Sequence, residues 1–279
     1  MPEGDTVYRA ARLLDRALTG HTLTVADLRV PQHATADLVG SHVEGTASRG
    51  KHLLTRLRPP VGPPLTLHTH LKMEGAWRVL KQGGRWPRPA HQARVVLGDD
   101  RVTAVGFSLG IVALLPTAEE DSVVGHLGPD LLGPDWDEPE ALRRLLEEPD
   151  REVGDALRDQ TRLAGLGNMY VAELCFVSGL HPRLPIADVG GLARVVRRGR
   201  QMLELNKERA VQSTTGDLRE RERMWVYRRD RSPCRRCGTP IAVAQQGPAG
   251  RERAIYWCPR CQPEPGTTPG RALPGSSIG

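Results

Sequence analysis

Four cysteines in two close pairs constrain this chain more than any other feature. Cys234 and Cys237 form one Cys-x2-Cys pair, Cys258 and Cys261 form a second, and 20 residues separate the pairs. Each pair can present two thiolates from one tight turn, and two such turns close a tetrahedron around zinc. Four protein ligands leave no open coordination position, so the spacing predicts one structural Zn2+ rather than a catalytic metal. The segments RRCGTPI and GRERAIYWCPRC around the pairs read as strands of a β-hairpin rich in arginine and aromatic residues. A metal-stapled hairpin of this kind can press arginine against DNA, and Arg253, five residues before Cys258, is the candidate. Arg253 could equally be one of several solvated arginines.

Ahead of this module the pattern divides in two. Residues 6–19 carry apolar side chains at helical spacing, namely Val7, Ala10, Ala11, Leu14 and Leu18. From about residue 22 to 115 short apolar runs alternate with Gly and Pro; HLLTRL, LTLHTHL, ARVVLG, RVTAVG and GIVALL read as strands. No long helix interrupts them, which favours a β-sandwich or barrel over βαβ units. Helical stripes dominate from 139 to about 210. The fold class expected is α+β. A β-sandwich domain with an N-terminal helix spans 1–120 and a linker 121–138. A helical DNA-binding domain spans 139–226, a zinc finger 227–262 and a disordered Pro-, Gly- and Ser-rich tail 263–279.

Charge points the same way. The net charge of +6 and pI near 9.4 suit a polyanionic partner. Of 39 basic residues only Lys51, Lys72, Lys81 and Lys207 are lysine. Arginine keeps its proton and lysine can lose it, so a retained lysine marks a place where a titratable amine is useful, or a chance survivor. No apolar run of membrane-spanning length and no signal-peptide pattern occurs, which predicts a cytoplasmic protein without a membrane partner. A monomer is expected.

Two local features carry candidate chemistry. Removing Met1 from the Met-Pro-Glu-Gly-Asp start would expose the secondary amine of Pro2, part of which is neutral near pH 7. Such an amine can attack an aldehyde carbon and form a cationic iminium. Glu3 beside it can donate a proton to a leaving group, or can complement a helix dipole. In AGLGNMYVAEL, Gly165 and Gly167 precede Asn168, which reads as a helix N-cap. Free N–H groups at that helix start would hold a phosphate, unless the segment is an ordinary turn between packed helices.

In order and spacing these pieces resemble the formamidopyrimidine-DNA glycosylase/endonuclease VIII (Fpg/Nei) family. The strings are PEGDTV at 2–7, RGKHLL at 49–54, HLKMEG at 70–75, DQTRLAGLGNMYVAELCF at 159–176, and the ribbon ending YWCPRCQ. The resemblance implies a helix–two-turn–helix DNA-binding domain and a bifunctional DNA glycosylase/AP lyase of base excision repair, acting on damaged DNA. It makes Pro2 the Schiff-base nucleophile and Glu3 its acid/base partner. Lys51 becomes a phosphate contact that assists β-elimination, and Arg253 the hairpin arginine of DNA binding and δ-elimination. Asn168 would hold the phosphate beside the lesion, with Lys72 on the DNA surface. Met73 would be an apolar wedge replacing the everted base, the alternative being a core filler. GFSLG at 106–110 stands where the Fpg branch carries an arginine, and the 213–225 segment is short for an Fpg-type lid. With PEGDT at the start, both features place the resemblance on the Nei-like branch and imply oxidised pyrimidines as lesions. His126 stands where endonuclease VIII carries an arginine before the Gly-Pro-Asp turn. A catalytically silent DNA-binding protein of the same fold is the competing reading.

Overall fold

The structure is a computed structural model that describes residues 2–250 and 252–266. Met1 and residues 267–279 of the expected tail lie outside the described residues. Helix α1 (Gly4–Leu18) opens the chain and turns Val7, Ala11, Leu14 and Leu18 inward. Eight strands follow: β1 (Val25–Leu28), β2 (His42–Arg49), β3 (His52–Arg58), β4 (Leu65–His70), β5 (Ala76–Lys81), β6 (Ala93–Gly98), β7 (Val102–Phe107) and β8 (Ile111–Pro116). They make two antiparallel four-stranded sheets, ordered β1-β6-β7-β5 and β2-β3-β4-β8. The inner faces of both sheets close on one core with the apolar stripe of α1, including Leu53, Leu57, Leu67, Trp77, Val95 and Leu97. The predicted sandwich and all five predicted strands are therefore present, with β1, β2 and β5 in addition.

Short helix α2 (Asp121–Val124) leads out of the sandwich, within the stretch expected as a linker. Helices α3 (Glu138–Leu145), α4 (Val153–Ala156), α5 (Asn168–Ser178) and α6 (Leu192–Asn206) form the second body. Its core gathers Leu131, Leu145, Leu157, Tyr170, Leu174, Val196 and Leu203. Eight residues of α5 are buried, so this helix is the axle on which the others turn rather than an amphipathic surface helix. It ends at Gly179, whose φ of 69° is the left-handed conformation that closes a helix C-terminus.

Strands β9 (Ala242–Gln246) and β10 (Arg253–Trp257) form the terminal hairpin. RRCGTPI, expected as its first strand, is instead a knuckle. Cys234 N–H donates to the Thr239 carbonyl and Gly238 N–H to the Cys234 carbonyl, a turn that needs the positive φ of Gly238. The strand begins only after this turn. Among the described residues no helix is long and apolar enough to cross a membrane.

Candidate active site and zinc knuckle

The N-terminus of α1 and the N-terminus of α5 meet. Gly4 N–H donates to the Gly165 carbonyl at 2.9 Å, and a Cβ on Gly4 would lie 2.9 Å from that oxygen. Gly165 itself has a φ of 113°. Both glycines therefore serve a close backbone approach. This contact delivers Glu3 to the α5 N-terminus. Its carboxylate accepts from Gly167 N–H at 2.7 Å, Met169 N–H at 2.8 Å and Tyr170 N–H at 3.3 Å.

The expected N-cap is corrected by this geometry. Gly167 is the N-cap of α5, Asn168 is the first helical residue, and the cap is supplied by Glu3 from 164 positions away. The N–H groups expected to be free for a phosphate are occupied by that carboxylate. A Cβ on Gly167 would lie 2.6 Å from the Glu3 carboxyl carbon, so glycine is required there. Asn168 points elsewhere: its Nδ2 donates to the Ala254 carbonyl of β10 at 2.7 Å, and its Oδ1 accepts from Arg158 at 3.1 Å.

Lys51 reaches the same place from the β2–β3 turn. Gly50 supplies the positive φ of that turn and donates N–H to Asp130 at 2.7 Å. Lys51 Nζ donates to the Leu166 carbonyl at 2.6 Å. Gln160 donates to that carbonyl too, at 2.8 Å. Burial pushes the Glu3 carboxyl above the ordinary range, with the Lys51 charge opposing. Burial likewise pushes the Lys51 ammonium below its ordinary value, with Glu3 opposing. A carboxyl that holds its proton longer and an amine that loses its proton sooner are the two shifts acid/base chemistry near neutrality needs.

Pro2, Glu3, Lys51, Lys72, Met73, Asn168 and Arg253 all line one cleft of about 860 Å3. The structure thus brings together every expected site residue outside the cysteines. Six cations and three carboxylates line the cleft, a balance that favours an anionic guest. Lys72 and Met73 sit on the β4–β5 turn, where Lys72 takes a φ of 51° and its N–H donates to His70 Nδ1. Met73 is 59% exposed, which rules out the core-filler alternative. His126 packs 6.3 Å from His52 in a histidine group that also contains His68 and His70.

The cysteines converge as well. Cys237 Sγ lies 3.4 Å from Cys258 Sγ and 3.5 Å from Cys261 Sγ, and Cys234 Sγ lies 3.9 Å from Cys261 Sγ. A tetrahedral Zn–S4 site has edges of about 3.8 Å, so the four thiols fit a zinc ion.

Sequence reasoning missed several residues that hold this site. Glu173, buried in α5, accepts from Trp225, Val226 and Tyr227 N–H at 2.7, 2.8 and 2.8 Å and so ties the zinc module to the helix. Asp5 accepts from Tyr170 at 2.9 Å and Gln212 at 2.8 Å. Arg158 and Gln160 stand on the segment that precedes α5. Asp5, Gln160 and Glu173 lie inside the family-like strings and Arg158 directly before one, but no local pattern distinguishes a buried polar anchor from a surface charge.

Comparison with known proteins agrees with this geometry. A family model described as formamidopyrimidine-DNA glycosylase N-terminal domain matches residues 1–106. The chain is 51% identical over 273 residues to "Probable endonuclease 8 2" of Streptomyces coelicolor, covering 97% of each. The chain belongs to the Fpg/Nei family, on its endonuclease VIII-like branch. "DNA-(apurinic or apyrimidinic site) lyase Nei2" of Mycolicibacterium smegmatis is 47% identical over 94% of this chain and 99% of its own. Endonuclease 8 of Escherichia coli is 32% identical over 94% and 100%. Among solved structures, the Lactococcus lactis Fpg complex with abasic-site DNA superposes with a TM-score of 0.74. Its identity is 20%, over 94% of this chain and all of that one, a likeness of fold. The Fpg/Nei fold therefore holds both bodies and the hairpin, not the sandwich alone.

Proposed function

We propose that this protein is a DNA glycosylase/AP lyase of base excision repair that uses the Pro2 amine as its nucleophile. The observation that carries the reading is the meeting of Pro2, Glu3 and Lys51 in one cation-rich cleft. The names of the endonuclease 8 and AP lyase relatives support the same activity.

Once Met1 is removed, the Pro2 nitrogen is a secondary amine at the cleft wall. It attacks C1′ of a flipped-out nucleotide, and the base departs with the glycosidic electron pair. Glu3, whose burial favours the protonated form, supplies a proton to the departing base or the sugar ring oxygen. Ring opening leaves an iminium between Pro2 and C1′, and this electron sink acidifies C2′. Lys51, desolvated and able to become neutral, takes a C2′ proton or steadies the adjacent phosphate, and the 3′ phosphate is expelled. A second elimination with Arg253 at the 5′ phosphate releases the sugar and leaves a one-nucleotide gap. Lys72, Met73 and Asn168 contact the DNA. The lesions are oxidised pyrimidines, the branch being endonuclease VIII-like.

Cys234, Cys237, Cys258 and Cys261 hold one Zn2+. With four thiolates the ion supplies structure and no chemistry, fixing the hairpin that carries Arg253. The protein acts as a monomer in the cytoplasm.

Borohydride reduction with abasic-site duplex tests the nucleophile. Untagged protein with Met1 removed is expected to form a covalent adduct, and Pro2→Gly none. No adduct from the processed protein would leave the competing reading, a DNA-binding protein without catalysis.

A further inference from the structure

Arg158 has no part in the chemistry above, yet its position is unusual for an arginine. Its side chain is 10% exposed and still lines the cleft. Its Nη1 donates to Asn168 Oδ1 at 3.1 Å, and Asn168 Nδ2 donates to the carbonyl of Ala254, the residue after Arg253. One carboxamide thus spans from Arg158 to the strand that carries Arg253.

The countercharge is incomplete. Asp155 lies 3.3 Å from Arg158 Nη2, but its other oxygen is taken by Arg151 at 2.8 Å. Arg253 donates to the carbonyl of its neighbour Glu252, and no ion pair joins it to a carboxylate among the described residues. Burial disfavours the charged form of Arg158, and the charge of Arg253 adds to that. An arginine does not release its proton, so two guanidiniums that line one cleft and repel each other are relieved by an anion bound there. Phosphate oxygens match the planar guanidinium fork.

We propose that Arg158 is a substrate-binding residue: with Arg253 it grips one backbone phosphate of the damaged strand, and Asn168 sets the spacing between them. The proposal rests on the reading of the cleft as a DNA site and deepens it.

The test is binding to duplexes that carry a tetrahydrofuran abasic analogue and a single neutral methylphosphonate, moved one position at a time along the damaged strand. The wild-type protein is expected to lose about tenfold or more in affinity at each phosphate it grips, the one held by Arg158 and Arg253 among them, as loss of a charge-assisted contact implies. Arg158→Gln should start with a comparable loss on the unmodified duplex and fall little further at the shared position, while its further losses at the other positions equal those of wild type. Arg158→Lys, which keeps the charge without the fork, should recover part of the loss. Melting temperature separates binding from folding; if Arg158→Gln does not fold, Arg158→Lys carries the same scan. A variant that follows the wild-type profile at every position overturns the assignment. Borohydride trapping of wild type runs alongside. An adduct with an unchanged variant profile fails Arg158 alone, whereas no adduct fails the nucleophile and leaves the binding scan readable.

Discussion

Glu3 and Lys51 hold opposite ends of a single peptide unit. The carbonyl of the Leu166–Gly167 peptide accepts from Lys51 and its N–H donates to Glu3. An acid from the chain start and a base from a β-turn are thereby registered to each other through the first residues of α5. Neither needs a direct ion pair to be held in place, and both keep hydrogen-bonding capacity toward the cleft. Any change in that peptide should disturb both groups together.

Gly167→Ala is the sharpest probe of this coupling. The new methyl would press on the Glu3 carboxylate at 2.6 Å, closer than ordinary contact allows. Overpacking of this kind costs about 1–3 kcal/mol, and here it falls on the acid. Base release should fall at least a hundredfold, while melting drops only a few degrees. A variant with normal excision rates would show that Glu3 does not depend on the α5 N-terminus.

Lys51 allows a test by pH. Burial lowers its proton affinity, so the neutral amine appears below the ordinary lysine range near 10.5. If the neutral form takes the C2′ proton, single-turnover β-elimination on abasic DNA rises with pH and levels off at a midpoint below 10.5, after uncatalysed strand breakage is subtracted. Lys51→Arg cannot deprotonate and should lose the rising limb, keeping abasic-site affinity within a few fold. An identical profile in the variant would leave Lys51 as a phosphate contact only.

The same residues show what a sequence can reveal. Pro2, Glu3, Lys51 and the cysteines are legible because chemistry limits the residue type and the motifs fix the spacing. The short apolar runs that mark β3, β4 and β6–β8 are legible because each of these strands packs apolar side chains into the shared core. Strands β1, β2 and β5 carry shorter apolar runs, and β2 is interrupted by a register shift between Val43 and Gly45. The capping of α5 was illegible in principle. Asn168 has the side chain of an N-cap, but the carboxylate that wins the N–H groups comes from Glu3, far off in the chain and adjacent in the fold. A local rule ranks local partners and cannot see a tertiary competitor. Arg158 and Glu173 fall in the same class.

Metal removal should uncouple the zinc module from the helical body. The module beyond residue 225 is tied to α5 by Glu173, by the Phe176–Trp225 ring stack at 5.5 Å, and by a small core that includes Cys234 and Cys258. Without zinc, four thiols are left facing one another beside a core of only a few apolar side chains, among them Phe176, Val226 and Ile241, and structural zinc supplies on the order of 10 kcal/mol in small modules of this type. Chelation is expected to unfold the hairpin, change tryptophan emission from Trp225 and Trp257, and weaken abasic-DNA binding at least tenfold. The sandwich should keep its own melting transition. Unchanged melting and affinity in the metal-free protein would contradict a structural ion.

Met73 can be tested by the structure of the substrate. It stands on the β4–β5 turn with more than half its surface in solvent, so Met73→Ala should shift stability by no more than about 0.5 kcal/mol. Its proposed work is to fill the stack after the base leaves, offsetting unstacking that costs a few kcal/mol per step. That cost exists in a duplex and largely vanishes in a single strand. Excision from duplex DNA should therefore fall about tenfold in Met73→Ala, with excision from the single-stranded oligonucleotide nearly unchanged. Equal losses on both substrates would mean that Met73 contacts the damaged strand directly and does not act as a wedge.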